Sequence, residues 1–258
     1  MPYQTITYDH TDGMALITLN RPEVMNAFNT VMRRELAEAV TLAGQSARVV
    51  VLTGAGRGFC SGHDLANVAD AASLDFERIL ADEYEPMLRA ILAVRVPVIA
   101  AVNGVAAGAG ANLALAADVV IATESASFIQ AFTRIGLIPD AGGTYCLPRQ
   151  MGMAKAMGAV LFGDKITARQ AADWGMIWEA VPDAEFDAHW RARAHALANG
   201  PTKAIERAKQ ALRASLENDI DTQLALEAQL QGECGRTSDC NEGIQAFLEK
   251  RPARFVGR

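Results

Sequence analysis

Long hydrophobic runs are missing from this sequence of 258 residues, although half of its residues are hydrophobic. No apolar stretch reaches the roughly 18 residues of a membrane-spanning helix. The amino terminus also lacks a charged segment followed by an apolar one, which is the pattern of a secretion signal. We therefore expect a soluble cytoplasmic protein without a membrane partner, and the chain is long enough to bury a full core.

An excess of basic residues is also missing. The chain has 24 Lys and Arg against 30 Asp and Glu, which gives a formal net charge of -6. No long Lys/Arg stretch offsets this balance, so general attraction to nucleic acid or to an anionic membrane is not expected. An anionic ligand would need local basic groups.

Cysteines are few and are not arranged for a metal. Cys60, Cys146, Cys234 and Cys240 show neither Cys-x-x-Cys spacing nor a matching pair of histidines. We expect buried or idle thiols, no metal site and a reducing compartment.

Three common motifs of nucleotide-binding proteins and hydrolases are incomplete. Cys60 stands where the last glycine of a T-G-x-x-x-G-x-G dinucleotide turn belongs, and Asp164 in "GAVLFGDK" stands where a P-loop requires lysine. Ser61 in "FCSGH" does not form the G-x-S-x-G turn of a nucleophilic serine. These departures weigh against a nicotinamide, nucleoside-triphosphate or serine-hydrolase function.

An alternation of strands and helices is present. Runs rich in Val and Ile predict strands over 14–20, 47–54, 96–104 and 118–123, and a helical period predicts a helix over 29–44. Nearly continuous apolar strands are typical of a parallel sheet that is buried on both faces.

The rest of the chain is mostly helical in period. Residues 66–95 begin rich in Ala and Asp, which suggests a mobile lid, and then become helical. After Pro201, helices are predicted over 202–218, 221–234 and 241–251, with breaks or caps at Asn218, Asp219 and Asp239. The sequence thus predicts an α/β core over 1–200 and a helical region over 201–258.

Two glycine-rich stretches follow predicted strands. "VVVLTGAGRGFCSGHDL" could aim backbone N–H groups at an anion, although this signal is weak alone. "NGVAAGAGANLALAAD" leads from small residues into a helix, so N–H groups near Ala109 and Gly110 could hold an oxyanion.

Five ordered motifs resemble one family. "LNRPEVMNAF", "LTGAGRGFCSGHDL", "AAVNGVAAGAGANLAL", "IGLIPDAGGTYCLPR" and "EGIQAFLEKR" are similar, in order and spacing, to the enoyl-CoA hydratase/isomerase (crotonase) family. The resemblance implies a coil of ββα units, a carboxyl-terminal helical trimerisation region and a homotrimer or homohexamer. It also implies an acyl-CoA thioester as substrate, with no cofactor besides the coenzyme A of the substrate. Within the family, "NGVAAGAGA", "GLIPD", "GMIW" and "DTQL" most resemble the isomerases of epoxyphenylacetyl-CoA.

The resemblance implies an oxyanion hole. By motif position its two donors are the backbone N–H groups of His63 and Ala109, which would stabilise the enolate formed when a proton leaves carbon 2 of the thioester. The imidazole of His63 could be a catalytic base, but a place in the pocket wall or in solvent is preferred.

Hydratases of the family use two glutamates around the attacking water. Those positions fall on Asn112 and Phe132 here, so hydration should be weak or absent. Both residues could shape the acyl pocket, Phe132 by stacking on an aromatic or cyclic acyl group, or they could be core residues. Tyr145 is a weaker pocket candidate.

Asp140, in "GLIPDAGGT", has two interpretations. An isomerase needs one base that removes a proton and returns it elsewhere, and a carboxylate whose pKa is raised near an apolar pocket suits that task. Alternatively, Asp140 caps the following helix. The resemblance favours catalysis, because related isomerases carry their acid–base aspartate at this position.

The resemblance also implies residues that contact coenzyme A. The expected set is Val24, Ala27, Ser61, Asp64 and Leu65, together with Phe247 and Lys250 from a neighbouring subunit. Lys250 could instead lie on a solvated helix face.

The function expected from these residues is acyl-CoA isomerisation, either of an epoxyphenylacetyl-CoA to its oxepin or of a 3-enoyl-CoA to a 2-enoyl-CoA. The alternatives are a 2-enoyl-CoA hydratase and a non-catalytic acyl-CoA-binding subunit.

Overall fold

Two sheets of unequal size form the framework of the protein. The computed structural model describes residues 3–64 and 75–258. The larger sheet contains, in spatial order, β1 (Ile6–Thr11), β2 (Met14–Leu19), β3 (Val49–Gly54), β5 (Val98–Val102), β7 (Val119–Thr123) and β10 (Glu179–Val181). β1 and β2 form an antiparallel pair, and the pairs that follow across this sheet are parallel.

The smaller sheet receives the strand that follows each central strand of the larger one. It contains β4 (Gly58–Cys60), β6 (Val105–Ala107), β8 (Ser127–Ile129) and β9 (Lys165–Thr167). The chain therefore passes from β3 to β4, from β5 to β6 and from β7 to β8, and each pair is followed by helical structure. This arrangement confirms the predicted coil of ββα units.

Helices cover the sheets and form the carboxyl-terminal region. They are α1 (Thr30–Ser46), α2 (Phe76–Ile79), α3 (Glu85–Ala93), α4 (Ala109–Leu115), α5 (Gly143–Met151), α6 (Met153–Phe162), α7 (Ala168–Asp173), α8 (Phe186–Ala198), α9 (Thr202–Ala214), α10 (Ile220–Gly235) and α11 (Ser238–Leu248). A π-helical turn, Leu80–Tyr84, joins α2 to α3, and short 3-10 turns cover Pro22–Val24 and Ala131–Ile135.

Both faces of the larger sheet are buried at its central strands β3, β5 and β7, as the Val/Ile runs predicted. Successive residues of β3 alternate between two hydrophobic clusters, with Val50 in one and Val51 in the other. The first cluster includes the apolar face of α1, and the second includes Phe186 and Trp190 of α8. Because alternate strand residues point to opposite faces, a strand with clusters on both sides is apolar throughout.

The central strands and α1 were predicted, whereas β1, α6, α8 and the strands of the smaller sheet were missed. The four predicted strands correspond to β2, β3, β5 and β7, and the predicted helix over 29–44 corresponds to α1, which Asn29 caps by accepting from the N–H of Met32 at 2.8 Å. The strands of the smaller sheet are three residues each. Three residues are too few to show a period of two, which is why the sequence did not reveal them.

The carboxyl-terminal helices lie close to their predicted positions, with one correction. Asp219 caps α10 as expected, since its carboxylate accepts from the N–H of Thr222 at 2.8 Å. Asp239 is not the cap of α11: Thr237 is, and Asp239 lies inside the first turn. The Asp239 carboxylate instead accepts from the N–H groups of Val256 and Gly257 at 2.7 and 2.8 Å, so it holds the final residues of the chain. The division at residue 200 stays a prediction.

Membrane-spanning helices, metal-binding clusters and disulfides were not expected from the sequence, and the described residues can be examined for each. No helix in residues 3–64 and 75–258 is long and apolar enough to cross a membrane. The same residues contain no group of three or more His, Cys, Asp or Glu side chains that could hold a metal. The four cysteines form no disulfide, and burial raises the pKa of the Cys60 thiol to about 12. The first part of the predicted lid, residues 66–74, lies outside the described residues.

Candidate active site

The two predicted oxyanion donors lie on neighbouring turns. The N–H of Phe28 donates to the C=O of Gly62 at 2.7 Å, and the N–H of Asp64 donates to the C=O of Phe28 at 3.0 Å. The Gly62 carbonyl and the His63 N–H belong to one trans peptide, so that N–H points away from Phe28. Across the turn, Ala109 is the first residue of α4, where an N–H has no intrahelical partner.

Glycine allows the turn at residues 62–63 to lie close to the start of α4. Gly62 has a φ of 95°, and a Cβ added there would lie 2.9 Å from the Ala107 oxygen and 3.5 Å from the Ala109 nitrogen. Gly108 has a φ of 52° and a ψ of -128°, which turns the chain from β6 into α4. Neither the His63 nor the Ala109 N–H has a hydrogen-bond partner within residues 3–64 and 75–258. The two N–H groups are therefore available to a ligand oxygen.

Asp140 carries a carboxylate that is poorly solvated and not used for capping. Burial raises its pKa to about 6, and its own backbone N–H opposes that shift only in part. One carboxylate oxygen, Oδ1, is buried and has no hydrogen-bond partner among the described residues. The following helix, α5, has Gly142 as its N-cap without any side-chain capping bond. The capping interpretation of Asp140 is therefore wrong.

Asn112 holds the backbone of Asp140. Its Nδ2 donates to the C=O of Asp140 at 2.8 Å, and its Oδ1 accepts from Nε2 of Gln130 at 2.8 Å. Asn112 and Gln130 are buried, at 1% and 0% exposure. The residue in the first glutamate position thus positions the aspartate loop, and its amide oxygen and one amide hydrogen are already engaged.

An apolar cavity of about 760 Å³ opens beside Asp140. One wall is formed by the helical segment over 76–93, which contributes Leu80, Tyr84 and Leu88, and the other by the loop at Asp140 and the start of α5, which contributes Tyr145. A pocket of this size and character suits an acyl group. The Asp140 carboxylate therefore lies at the wall of this cavity.

Tyr84 connects this cavity to the turn that carries His63, one of the predicted oxyanion donors. It is 2% exposed, and its hydroxyl lies 3.0 Å from Nδ1 of His63 and 3.4 Å from Nη1 of Arg33. Arg33 also donates to the C=O of Phe28 at 3.2 Å and forms a short ion pair with Glu83. Burial raises the pKa of Tyr84, and the negative charge of Asp140 adds to this effect. Burial and the charge of Arg33 lower the pKa of His63.

The other predicted pocket residues have different surroundings. Phe132 is 6% exposed and packs over Gly108, where an added Cβ would lie 3.6 Å from Cζ of the phenyl ring. It therefore supports the turn beside Ala109 and is not among the residues that line the cavity. Tyr145 lines the cavity, is 49% exposed, and carries the guanidinium of Arg149 over its ring at 3.7 Å.

Four of the residues predicted to contact coenzyme A, Val24, Ala27, Ser61 and Asp64, lie near the His63 turn. The Ser61 hydroxyl donates to the C=O of Val24 at 3.2 Å. Arg21 pairs with Asp64 at 2.7 Å and donates to the C=O of Ala27 at 2.6 Å. The structure thus brings these four residues together and adds Arg21, a cation that was not predicted from the sequence. Leu65 lies outside the described residues.

Phe247 and Lys250 lie at the end of α11 and are exposed, Phe247 at 82%. The sequence placed them in the site of a neighbouring subunit, and this stays a prediction.

Tyr84, Arg33 and Gln130 were missed because nothing in their local sequence distinguishes them. Tyr84 occupies one helical position among several charged and apolar residues, and its partners lie 21 and 51 positions away along the chain. Arg33 reads as a surface residue of an amphipathic helix, yet it is 2% exposed. The π-helical turn that ends at Tyr84 is a frequent mark of functional sites, but it has no sequence signature.

The coil of ββα units and the paired N–H groups define a protein of the crotonase fold. A model of the enoyl-CoA hydratase/isomerase family matches residues 9–258. A protein of Rhodobacter capsulatus named "Probable enoyl-CoA hydratase" is 61% identical over 258 residues and is covered completely, as is this chain. The 1,2-epoxyphenylacetyl-CoA isomerase of Escherichia coli is 46% identical over 255 residues, which cover 95% of this chain and 96% of that protein.

The fold agrees with these sequence matches. The crystal structure of an enoyl-CoA hydratase from Bacillus anthracis superposes with a TM-score of 0.92 at 34% identity, over 99% of this chain and 100% of that one. This chain therefore belongs to the enoyl-CoA hydratase/isomerase family, whose members act on acyl-CoA thioesters.

Proposed function

We propose that this protein is an acyl-CoA isomerase with a single acid–base residue, Asp140, and no cofactor beyond the coenzyme A of its substrate. The observation that carries the proposal is the Asp140 carboxylate on the wall of an apolar cavity. Its Oδ1 has no hydrogen-bond partner in the part of the chain that the structure describes, and its pKa is raised to about 6. Such a carboxylate is largely ionised near pH 7, yet it is a stronger base than a solvated aspartate.

The chemistry follows from the positions of these groups. The N–H groups of His63 and Ala109 would bind the thioester oxygen and stabilise negative charge on it. Asp140 would remove a proton from carbon 2, and the electron pair of the C–H bond would pass into the enolate. For a 3-enoyl-CoA, return of the same proton to carbon 4 gives the conjugated 2-enoyl-CoA. Atoms and charge balance without any other reactant.

Hydration is disfavoured by the residues in the two glutamate positions. Water addition needs one group to activate the water and another to protonate carbon 2. Asn112 is an amide whose oxygen and one hydrogen are engaged by Gln130 and Asp140, and Phe132 has no polar atom in its side chain. One similar protein is named a probable enoyl-CoA hydratase, so hydration is the alternative reaction to be assayed.

The substrate class proposed is a thioester with either a 3,4 double bond or an epoxidised ring. The cavity is large enough for a cyclic acyl group, and 46% identity to a 1,2-epoxyphenylacetyl-CoA isomerase supports the second possibility. We propose that coenzyme A binds along Val24, Ala27, Ser61 and Asp64, with Phe247 and Lys250 supplied by a neighbouring subunit.

We also propose a homotrimer or homohexamer. Met153, Met157 and Leu161 of α6 follow a spacing of four residues and are 61%, 53% and 62% exposed. An apolar stripe of this kind on a helix favours burial against another chain.

Two absorbance assays test the reaction type. The purified protein is mixed separately with crotonyl-CoA and with a 3-enoyl-CoA, and the absorbance of the conjugated thioester is followed. Gain of conjugation from the 3-enoyl-CoA supports isomerisation, and loss of conjugation from crotonyl-CoA would support hydration instead. A mass-resolved screen of acyl-CoA thioesters that includes the epoxide then identifies the acyl group. No change in any thioester would favour the non-catalytic binding function.

A further inference from the structure

Tyr84 belongs to a closed set of hydrogen bonds around the oxyanion hole. The segment over 62–64 is bonded to Phe28 on one side, through the Gly62 carbonyl and the Asp64 N–H. Arg33 donates hydrogen bonds to the C=O of Phe28 and to the Tyr84 hydroxyl oxygen. The same hydroxyl is hydrogen-bonded to Nδ1 of His63. The Tyr84 oxygen therefore makes two of the hydrogen bonds in this closed set.

The direction of each hydrogen bond can be assigned. A guanidinium can only donate, so the Tyr84 oxygen accepts from Arg33. The phenol proton has no other acceptor among the described residues, and His63 is neutral near pH 7 because its pKa is lowered. Nδ1 of His63 is thus the acceptor and its ring proton is on Nε2. An imidazole held in this way does not serve as a base through Nδ1, which agrees with the preferred assignment of His63 as a backbone donor.

The position of Tyr84 links two parts of the site that otherwise do not share residues. The cavity is lined by Tyr84 and Asp140 but by neither His63 nor Ala109. The His63 turn is attached to Phe28 by an isolated bridge and not by a continuous strand ladder. Tyr84 therefore attaches the turn to the helical wall of the cavity, while Glu83, the preceding residue, anchors Arg33.

We propose that Tyr84 is a positioning residue of the reaction, because its hydroxyl, through His63, fixes the oxyanion turn relative to the acyl cavity. This inference rests on the proposed function of the His63 and Ala109 N–H groups. Tyr84 touches neither the thioester oxygen nor the proton that is transferred in this scheme. Its effect is on geometry, and a misplacement of about 1 Å can lower turnover by about 100-fold.

Tyr84→Phe removes the hydroxyl and keeps the ring that lines the cavity. Since the His63 N–H is displaced and not lost, we expect turnover to fall about 10-fold, less than the loss of an oxyanion donor causes, with KM nearly unchanged. His63→Leu removes the Nδ1 acceptor but keeps the backbone N–H, and it should have the same effect. The double variant should lose no more than either single variant, because both remove one interaction. Tyr8→Phe, in β1, is the matched control and should behave as the wild type.

Infrared difference spectra of bound phenylacetyl-CoA give a readout that does not depend on turnover. In the wild type, two N–H donors should shift the thioester C=O stretch to lower frequency, and in Tyr84→Phe and His63→Leu this shift should be smaller. A full shift in both variants, or losses in turnover that add in the double variant, would overturn the role of Tyr84. Absence of a shift in the wild type would instead reject the oxyanion hole itself, and the inference with it. Circular dichroism of each variant checks folding, and His63→Leu still tests the bond if Tyr84→Phe does not fold.

Discussion

Replacement of Asp140 by asparagine should lower activity and raise stability. The carboxylate is partly buried, and this desolvation raises its pKa from 3.8 to about 6 in the folded protein. A difference of this size corresponds to about 3 kcal/mol that opposes folding once the group is ionised, since one pKa unit is worth about 1.4 kcal/mol. Asparagine has nearly the same size and no charge, so the variant avoids this cost.

The sign of the effect depends on pH. The folded-state pKa is raised, so the protonated carboxyl contributes stability that is fully present below pH 3.8 and is lost as the pH rises through about 6. The variant and the wild type should therefore unfold alike near pH 4. Near pH 7.5 the variant should be more stable by about 1 to 3 kcal/mol, which is a rise in Tm of a few degrees for a chain of this length.

Turnover should change in the opposite direction. Without a group that accepts and returns a proton, the variant should lose about 10²- to 10⁴-fold in turnover while it still binds acyl-CoA. Solvent-deuterium exchange at carbon 2 of a saturated acyl-CoA isolates the proton-removal step and should also nearly disappear. Asp173→Asn, at an exposed position in α7, is the matched control and should change neither quantity. Equal exchange in Asp140→Asn and the wild type, or a variant that is less stable near pH 7.5, would refute this reasoning.

Further predictions concern the oxyanion hole, the pH profile and assembly. Ala109→Pro removes one N–H at the first residue of α4, a position where proline is well tolerated, so the variant should fold. Its turnover should decrease about 10²- to 10³-fold. Unchanged turnover in the folded variant would exclude Ala109 as a donor. Because the Asp140 pKa is raised to about 6, kcat/KM should fall below about pH 6, and a flat profile down to pH 5 would contradict its role as the base. Truncation before Gly243 should weaken coenzyme A binding and oligomerisation together, as measured by calorimetry and native mass, whereas a tightly binding monomer would show that Phe247 and Lys250 do not act between subunits.

The site residues that could be predicted from the sequence are those carried by short continuous motifs. Gly62, His63 and Ala109 occupy turns whose glycines are visible in the sequence, and Asp140 stands out as a carboxylate between apolar residues and glycines. Its two interpretations could not be separated without the structure, because both use the same residue type before a helix. The structure separates them, since Gly142 is the cap of α5 and one Asp140 carboxylate oxygen, Oδ1, is buried with no hydrogen-bond partner within residues 3–64 and 75–258.

The residues that support the site could not be predicted in this way. The residues of the hydrogen bond between Asn112 and Asp140 are 28 positions apart in the sequence, and those of the hydrogen bond between Tyr84 and His63 are 21 positions apart. Such pairs depend on how the coil stacks its units, which a single sequence does not specify. The three-residue strands of the smaller sheet could not be predicted either, because their formation depends on neighbouring strands and not on local propensity.

The bond between Asn112 and the Asp140 carbonyl has a consequence for substrate selection. Ala109, the proposed oxyanion donor, is the first residue of α4, and Asn112 follows one turn later. Asn112 donates a hydrogen bond to the backbone of Asp140, the proposed base. Thermal displacement of α4 should therefore move the oxygen-binding group and the proton-accepting group in concert. We therefore expect a constant distance between the groups that bind the thioester oxygen and the group that accepts the proton. The distance from the carbonyl oxygen to the removed hydrogen of a reactive substrate should match it. Acyl chains of different shape should then react at comparable rates whenever their acidic hydrogen falls at that distance, and chains that match the cavity but misplace the hydrogen should act as inhibitors.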